Sequence, residues 1–224
     1  MEEYTLKLRR GQKTIRMHYT DKGELIVSAS PSVPRKRIED FVASNSAWIE
    51  KTKATFTSHS YSNGDTVPYL GNSCLLMVVT GPANDVSYLD GTVLVTAKRK
   101  PTEQKVRTLL RSFYEKTILS IAGPRVTYWC SVMGIEEPKI LSCNAKTRWA
   151  VCVPSRREIR FSAISATLDE GLIDMIVVHE LCHLFHPDHS KQFWQKVAQY
   201  VPDVDEKEKR LKEISRKGAH KNLF

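Results

Sequence analysis

His179 and His183 lie four residues apart, Glu180 follows the first of them, and His189 stands six residues past the second; together they are side chains able to hold and use a metal ion. On an α-helix, positions four apart share a face, so both imidazoles can reach one ion. Glu180 projects from the neighbouring side. A carboxylate there is badly placed as a third ligand and well placed to take a proton from a metal-activated water. The remaining ligand must come from outside the helix. His186 precedes Pro187, and a residue before proline is pushed away from the α region, so the helix is predicted to stop near Phe185 or His186 and the chain to turn back, bringing His189 to the metal. The offset of His189 matches metzincin-type sites, in which a glycine makes the turn. Here His186 occupies that place, and no Met-turn signature follows.

Three neutral imidazoles leave a zinc ion an open position and bring the pKa of a bound water from ~15.7 towards ~7. The pattern therefore predicts one zinc ion per chain, held by His179, His183 and His189, with Glu180 as general base and then general acid in hydrolysis of a peptide bond. The ligand types alone also admit cobalt, nickel, copper or iron. Spacing does not identify the donor that stabilises the oxyanion; Arg148 and His186 are the candidates. Cys182, between the two helical histidines, points off the metal-facing side and is expected to be a reduced core thiol.

These residues need a helix to carry them. Thr167-Leu168-Asp169-Glu170 has the form of a capping box, and from Leu172 to Leu184 apolar residues occupy nearly every side, which predicts a buried helix. Ahead of it, a hairpin is expected with Ile140 to Cys143 and Ile159 to Ser162 in its strands. An edge strand at Trp149 is the candidate for pairing with an extended peptide, although Trp149 could equally be a core anchor. An amphipathic helix spans Val106 to Ile121, and a further helix runs from about Pro124 to Gly134. In the first half, alternation over Tyr4 to Leu8, Thr14 to Tyr19 and Glu24 to Ser28 predicts an antiparallel meander with turns at Arg10-Gly11 and Lys22-Gly23. One long helix follows Pro34, ending before a loop at 58 to 64, and strands are expected at Leu75 to Thr80 and Val93 to Thr96. The basic run Lys98-Arg99-Lys100-Pro101 suggests a soft boundary, giving a β-rich subdomain over 1–97 and a catalytic subdomain over 98–224. The charged segment from Asp205 to Lys217 reads as a surface helix stopped by Gly218.

The run Val177-Val178-His179-Glu180-Leu181-Cys182-His183-Leu184, continuing through His189-Ser190, Phe193-Trp194 and Pro202-Asp203, resembles the YgjP-like metallopeptidases, described as predicted metal-dependent hydrolases. Lys146-Thr147-Arg148-Trp149 with Cys152 resembles that family's Arg-Trp-Gly-Ser-Cys strand. Tyr69-Leu70-Gly71, Ile38, Phe41 and Trp48-Ile49 resemble its amino-terminal half. Three positions depart from the pattern: Ala150 and Val151 replace Gly-Ser, and Ser162 stands where asparagine is usual. The resemblance implies an α+β fold, with a β-rich amino-terminal half followed by a zincin-like catalytic half whose HExxH helix packs on a small sheet. It also implies that His179, His183 and His189 bind zinc, and that Glu180 is the base or acid.

The chain has 224 residues, 41% of them hydrophobic, enough for a large core. Met1 to Lys13 has no apolar run of signal-peptide length, and no stretch is apolar enough to span a bilayer, so the expected location is the cytoplasm. Five cysteines without a Cys-x-x-Cys pair argue against a disulfide framework or a zinc ribbon. The expected partner is a peptide or protein substrate. A net charge of +9 admits nucleic acid as well, although the basic clusters are dispersed and no nucleic-acid motif accompanies them. SprT-like zinc proteases share the histidine pattern and act on DNA-linked proteins, so a DNA-associated protease is one alternative. A non-catalytic basic interaction module that retains the metal site is the other.

Overall fold

Strands Thr5–Leu8 (β1), Arg16–Tyr19 (β2) and Leu25–Ala29 (β3) fall where alternation predicts them. Their pairing differs from a meander: the order is β1-β3-β2, with β1 parallel to β3 and β2 antiparallel to it. The reason lies in β3, buried at every position and therefore the central strand. The segment after Pro34 forms two helices, Arg35–Ser44 (α1) and Ser46–Thr55 (α2), interrupted at Asn45, where the backbone leaves the helical region. Leu25, Val27, Ala29, Ile38, Val42 and Ile49 form a separate small core.

These elements belong to the first of two compact units, Met1–Ser58 and His59–Phe224. The coordinates come from a computed structural model that describes residues 3–20, 23–55, 61–217 and 223, so Lys22, Gly218 and part of the loop expected at 58 to 64 lie outside the described residues.

In the second unit, Thr66–Tyr69 (β4), Asn72–Thr80 (β5), Asp85–Leu89 (β6) and Thr92–Ala97 (β7) form a four-stranded sheet in the order β4-β5-β7-β6. Asp90 and Gly91, both with positive φ, make the β6–β7 turn. Helix Glu103–Met133 (α3) is continuous, in place of the two helices expected; Pro124 sits inside it, and Gly134 in the left-handed region ends it. Along its length α3 buries Val106, Leu110, Tyr114, Ile118, Ala122, Val126 and Cys130. These side chains share one core with Cys74, Leu76, Val93 and Val95 of the sheet and with the apolar residues of helix Glu170–Cys182 (α4). The soft boundary expected at 97/98 therefore falls inside the second unit, because the sheet before it and the helix after it bury the same surface.

A second sheet of this unit comprises Lys139–Cys143 (β8), Ala150–Val153 (β9) and Glu158–Ser162 (β10), in the order β8-β10-β9. The expected pairing of the 140–143 and 159–162 segments exists, but it is parallel; the hairpin is β9–β10, turned by a short 3₁₀ segment at Pro154–Arg156 with Arg157 left-handed. Helices Lys191–Tyr200 (α5) and Val204–Lys217 (α6) complete the fold. The described chain is thus a mixed α+β structure, and none of its described helices is long and apolar enough to cross a membrane.

Candidate metal centre

Helix α4 starts two residues later than a Thr167 cap implies. Asp169 is the N-cap and accepts the Leu172 amide, whereas the Thr167 hydroxyl donates to the Ile164 carbonyl. A distant turn fixes the same end: the Leu70 amide donates to the Ala166 carbonyl and the Gly71 amide to the Thr167 carbonyl. Gly71 has φ +81°, and a Cβ there would lie 2.8 Å from Asp169 Cβ, so glycine is required by both conformation and space. Arg125 of α3 ties down the outer side of the helix through Glu170 and Asp174.

Within α4, Leu172, Ile173, Met175, Ile176, Val177, Val178, Leu181 and Cys182 are buried, and beyond the Arg125-bound Glu170 and Asp174 the polar groups of this apolar helix are His179 and Glu180. The regular helix stops at Cys182. The amides of Leu184, Phe185 and His186 close tight turns onto Leu181 and Cys182, and the chain reverses before Pro187 as the sequence predicts. Ser190 then caps α5, accepting the Phe193 amide, and this places His189 immediately before the cap.

The reversal brings three rings together. Ligand atoms of His179, His183 and His189 lie within 4.8 Å of one another. Ring centroids are 4.9 Å apart for His179–His183, 5.1 Å for His179–His189 and 4.7 Å for His183–His189. Phe193, fully buried, forms their floor: it stacks on His183 at 4.5 Å and meets the other two edge-on at 4.9 Å. Trp194 lies 5.6 Å from His179 and 5.8 Å from His189. The Phe193-Trp194 pair, legible in the sequence only as part of a motif, is thus the wall that holds the imidazoles.

Protonation follows from these contacts. A carbonyl can only accept, so the His186 carbonyl, 3.1 Å from His183 Nδ1, fixes the proton on that nitrogen and leaves Nε2 with a free lone pair. Burial, reinforced by its two histidine neighbours, holds His179 at a pKa of about 3, so it is neutral at pH 7. Burial also lowers His183. The Nε2 atoms of His179 and His189 face each other at 3.1 Å, close to the roughly 3.4 Å separating two nitrogens on one tetrahedral zinc. Three imidazole nitrogens converging in this way fit a borderline-soft divalent ion.

Glu180, 7% exposed, lies against the Cys152 backbone of β9. Burial raises its carboxyl to about 7, against the opposing pull of the Cys152 backbone amide and the Arg148 charge. Cys182 is fully buried, and burial pushes its thiol up to about 12, as a reduced core thiol requires. His186 contributes its carbonyl to the site, a role that no side-chain pattern could reveal.

A cleft of about 420 Å³ opens beside His179 and Glu180. Trp149, Met175, Ile176, Trp194 and Leu211 give it apolar walls, and Arg148, Glu208 and Lys212 are its other charged residues. His183, His186 and His189 are not among the residues lining it. Trp149 precedes edge strand β9 and lines the cleft while packing partly against the core, so both readings of it hold. The departures at Ala150 and Ser162 are accommodated: Ala150 is buried in β9, and the Ser162 hydroxyl donates to the Ala145 carbonyl at 2.5 Å.

A model of the YgjP-like family, metallopeptidase domain, matches residues 13–214, and the chain belongs to that family. It is accordingly a metal-dependent peptidase, a hydrolase. Among solved structures, the metallopeptidase zymogen of Pyrococcus abyssi abylysin is similar at 25% identity and a TM-score of 0.37, over 40% of this chain and 90% of that one. No curated protein sequence matches the chain.

Proposed function

We propose that the chain is a zinc-dependent, zincin-like peptidase in which His179, His183 and His189 hold one zinc ion and Glu180 is the general base and acid. The observation that carries this reading is the convergence of three imidazole ligand atoms within 4.8 Å, next to a buried glutamate on the helix that carries His179. When bound, zinc supplies Lewis acidity, polarising the scissile carbonyl and acidifying a water. Glu180 takes the proton of that water and passes it to the leaving amine. A carboxyl brought by burial to about 7 suits both tasks near neutral pH. His183 is held in its ligating tautomer by the His186 carbonyl, and Phe193 fixes all three ring orientations.

The substrate is a peptide or protein segment whose apolar side chains rest on Trp149, Met175, Ile176, Trp194 and Leu211. Edge strand β9 offers main-chain groups for pairing with it, although the Cys152 amide is engaged by Glu180. The test is hydrolysis of apolar peptides by zinc-supplied protein and by its Glu180→Gln variant. Retained zinc with a loss of hydrolysis supports the reading, and equal rates overturn it.

A further inference from the structure

Four charged side chains line the cleft, and only one of them is without either a partner or a task. Glu208 and Lys212, on successive turns of α6, pair with each other at 2.9 Å. Glu180 is the proposed base. Arg148 is exposed and makes no ion pair among the described residues. Its charge is felt by the buried Glu180 carboxyl, but no carboxylate among the described residues pairs with it directly, and an exposed guanidinium over apolar walls without an ion-pair partner can receive an anion.

The backbone around Arg148 is held as a receptor's would be. The Ser162 hydroxyl at the end of β10 donates to the Ala145 carbonyl, and the Ser162 amide donates at 2.8 Å to the Trp149 carbonyl. The same Trp149 carbonyl accepts the Ser165 hydroxyl at 2.6 Å. Both ends of the segment carrying Arg148 are therefore fastened to the rigid sheet, which fixes where the guanidinium stem begins. The net charge of +9 adds a long-range field that favours an acidic ligand. The cleft, at about 420 Å³, is small, so an anionic group reaching Arg148 belongs to a residue close to the bond beside Glu180.

We infer that Arg148 is a specificity residue that binds a carboxylate of the substrate, so that the preferred substrate carries an apolar side chain in the cleft and a carboxylate within one or two residues of the scissile bond. This rests on the peptidase reading. The carboxylate has two sources, the peptide's own C-terminus or an Asp or Glu side chain, and Arg148 recognises their shared geometry through its two-pronged donor face.

Binding tests it without relying on turnover. Zinc-supplied Glu180→Gln protein is titrated with N-acetyl-Phe-Leu bearing a free carboxylate, with the same dipeptide as its C-terminal amide, and with N-acetyl-Phe-Glu amide, following tryptophan fluorescence. The titrations are repeated with Arg148→Ala and Arg148→Lys added. At least one carboxylate probe is expected to bind about tenfold or more tightly than the neutral amide, with the preference lost in Arg148→Ala and partly kept in Arg148→Lys. Whichever acid is preferred names the source. Equal binding of all three probes, binding of none, or a preference that survives Arg148→Ala overturns the inference, the last because the carboxylate then goes to the metal. The peptidase reading is judged separately: an Arg148-dependent preference with no cleavage by protein retaining Glu180 breaks that reading and leaves the anion site standing.

Discussion

The two sides of the cleft are built in opposite ways. On the metal side, His179, Glu180, His183, His189 and Phe193 come from 15 consecutive residues, and a helix, a turn and a capped second helix suffice to converge them. Their environment is apolar, and burial keeps His179 and His183 neutral and raises Glu180. On the substrate side, Arg148 and Trp149 come from the segment before β9, while Glu208, Leu211 and Lys212 come from α6, some 60 residues later. There the charged groups are exposed or paired at the surface. The difference separates chemistry, which needs fixed geometry and low dielectric, from recognition, which can be altered without disturbing the first.

Perturbations should divide along that line. The largest effect is expected from Glu180→Gln, which should lower kcat on the order of 10²–10⁴-fold while leaving zinc content near that of wild type; kinetics with metal analysis on the same sample checks it. Phe193→Ala removes the floor under three imidazoles and should cost about 3–5 kcal/mol of stability in denaturant unfolding, with zinc affinity weakened roughly 10–100-fold. A third effect is pH-dependent and belongs to the metal-free protein. Glu180 sits at about 7 in the fold against an ordinary 4.5, so its favourable contribution is present below 4.5 and is lost as pH rises through about 7. His179, at about 3 against 6.5, contributes stability above 6.5 that is lost as pH falls through about 3. The stability difference between Glu180→Gln and wild type should therefore shift in favour of the variant by about 3 kcal/mol from pH 4 to pH 8; matched unfolding curves at the two pH values test this.

Smaller effects sharpen the contrast. Gly71→Ala forces a left-handed alanine against Asp169 at the start of α4 and should lower stability by about 1–3 kcal/mol. On the substrate side, Arg148→Ala should change stability by no more than about 0.5 kcal/mol, as expected of an exposed residue without an ion pair. Thermal unfolding of both variants would show whether the two sides are as independent as their construction implies.

The same asymmetry governs what could be read from the amino acids. The turn before Pro187, the buried character of α4 and the grouping of three histidines follow from local rules acting within a few residues. Strand order did not. The centrality of β3 and the parallel β8–β10 pairing depend on which surfaces are buried across the fold, and alternation alone predicts a meander and a hairpin in their place. The continuity of α3 through Pro124 is likewise a tertiary outcome, since the core on its buried face outweighs the local break. Gly71 under the cap of α4 and the His186 carbonyl on His183 involve backbone atoms, which side-chain patterns do not encode. The cleft could be anticipated only through Trp149, because its far wall on α6 reads as an ordinary charged surface helix.

The central claim is that the three histidines hold one metal ion, and elemental mass spectrometry of tag-free protein supplied with zinc tests it directly. About one zinc per chain is predicted for wild type and for Glu180→Gln, with marked loss in His179→Ala, His183→Ala and His189→Ala. Folded wild type that takes up no zinc, or histidine variants that keep as much as wild type, would contradict it.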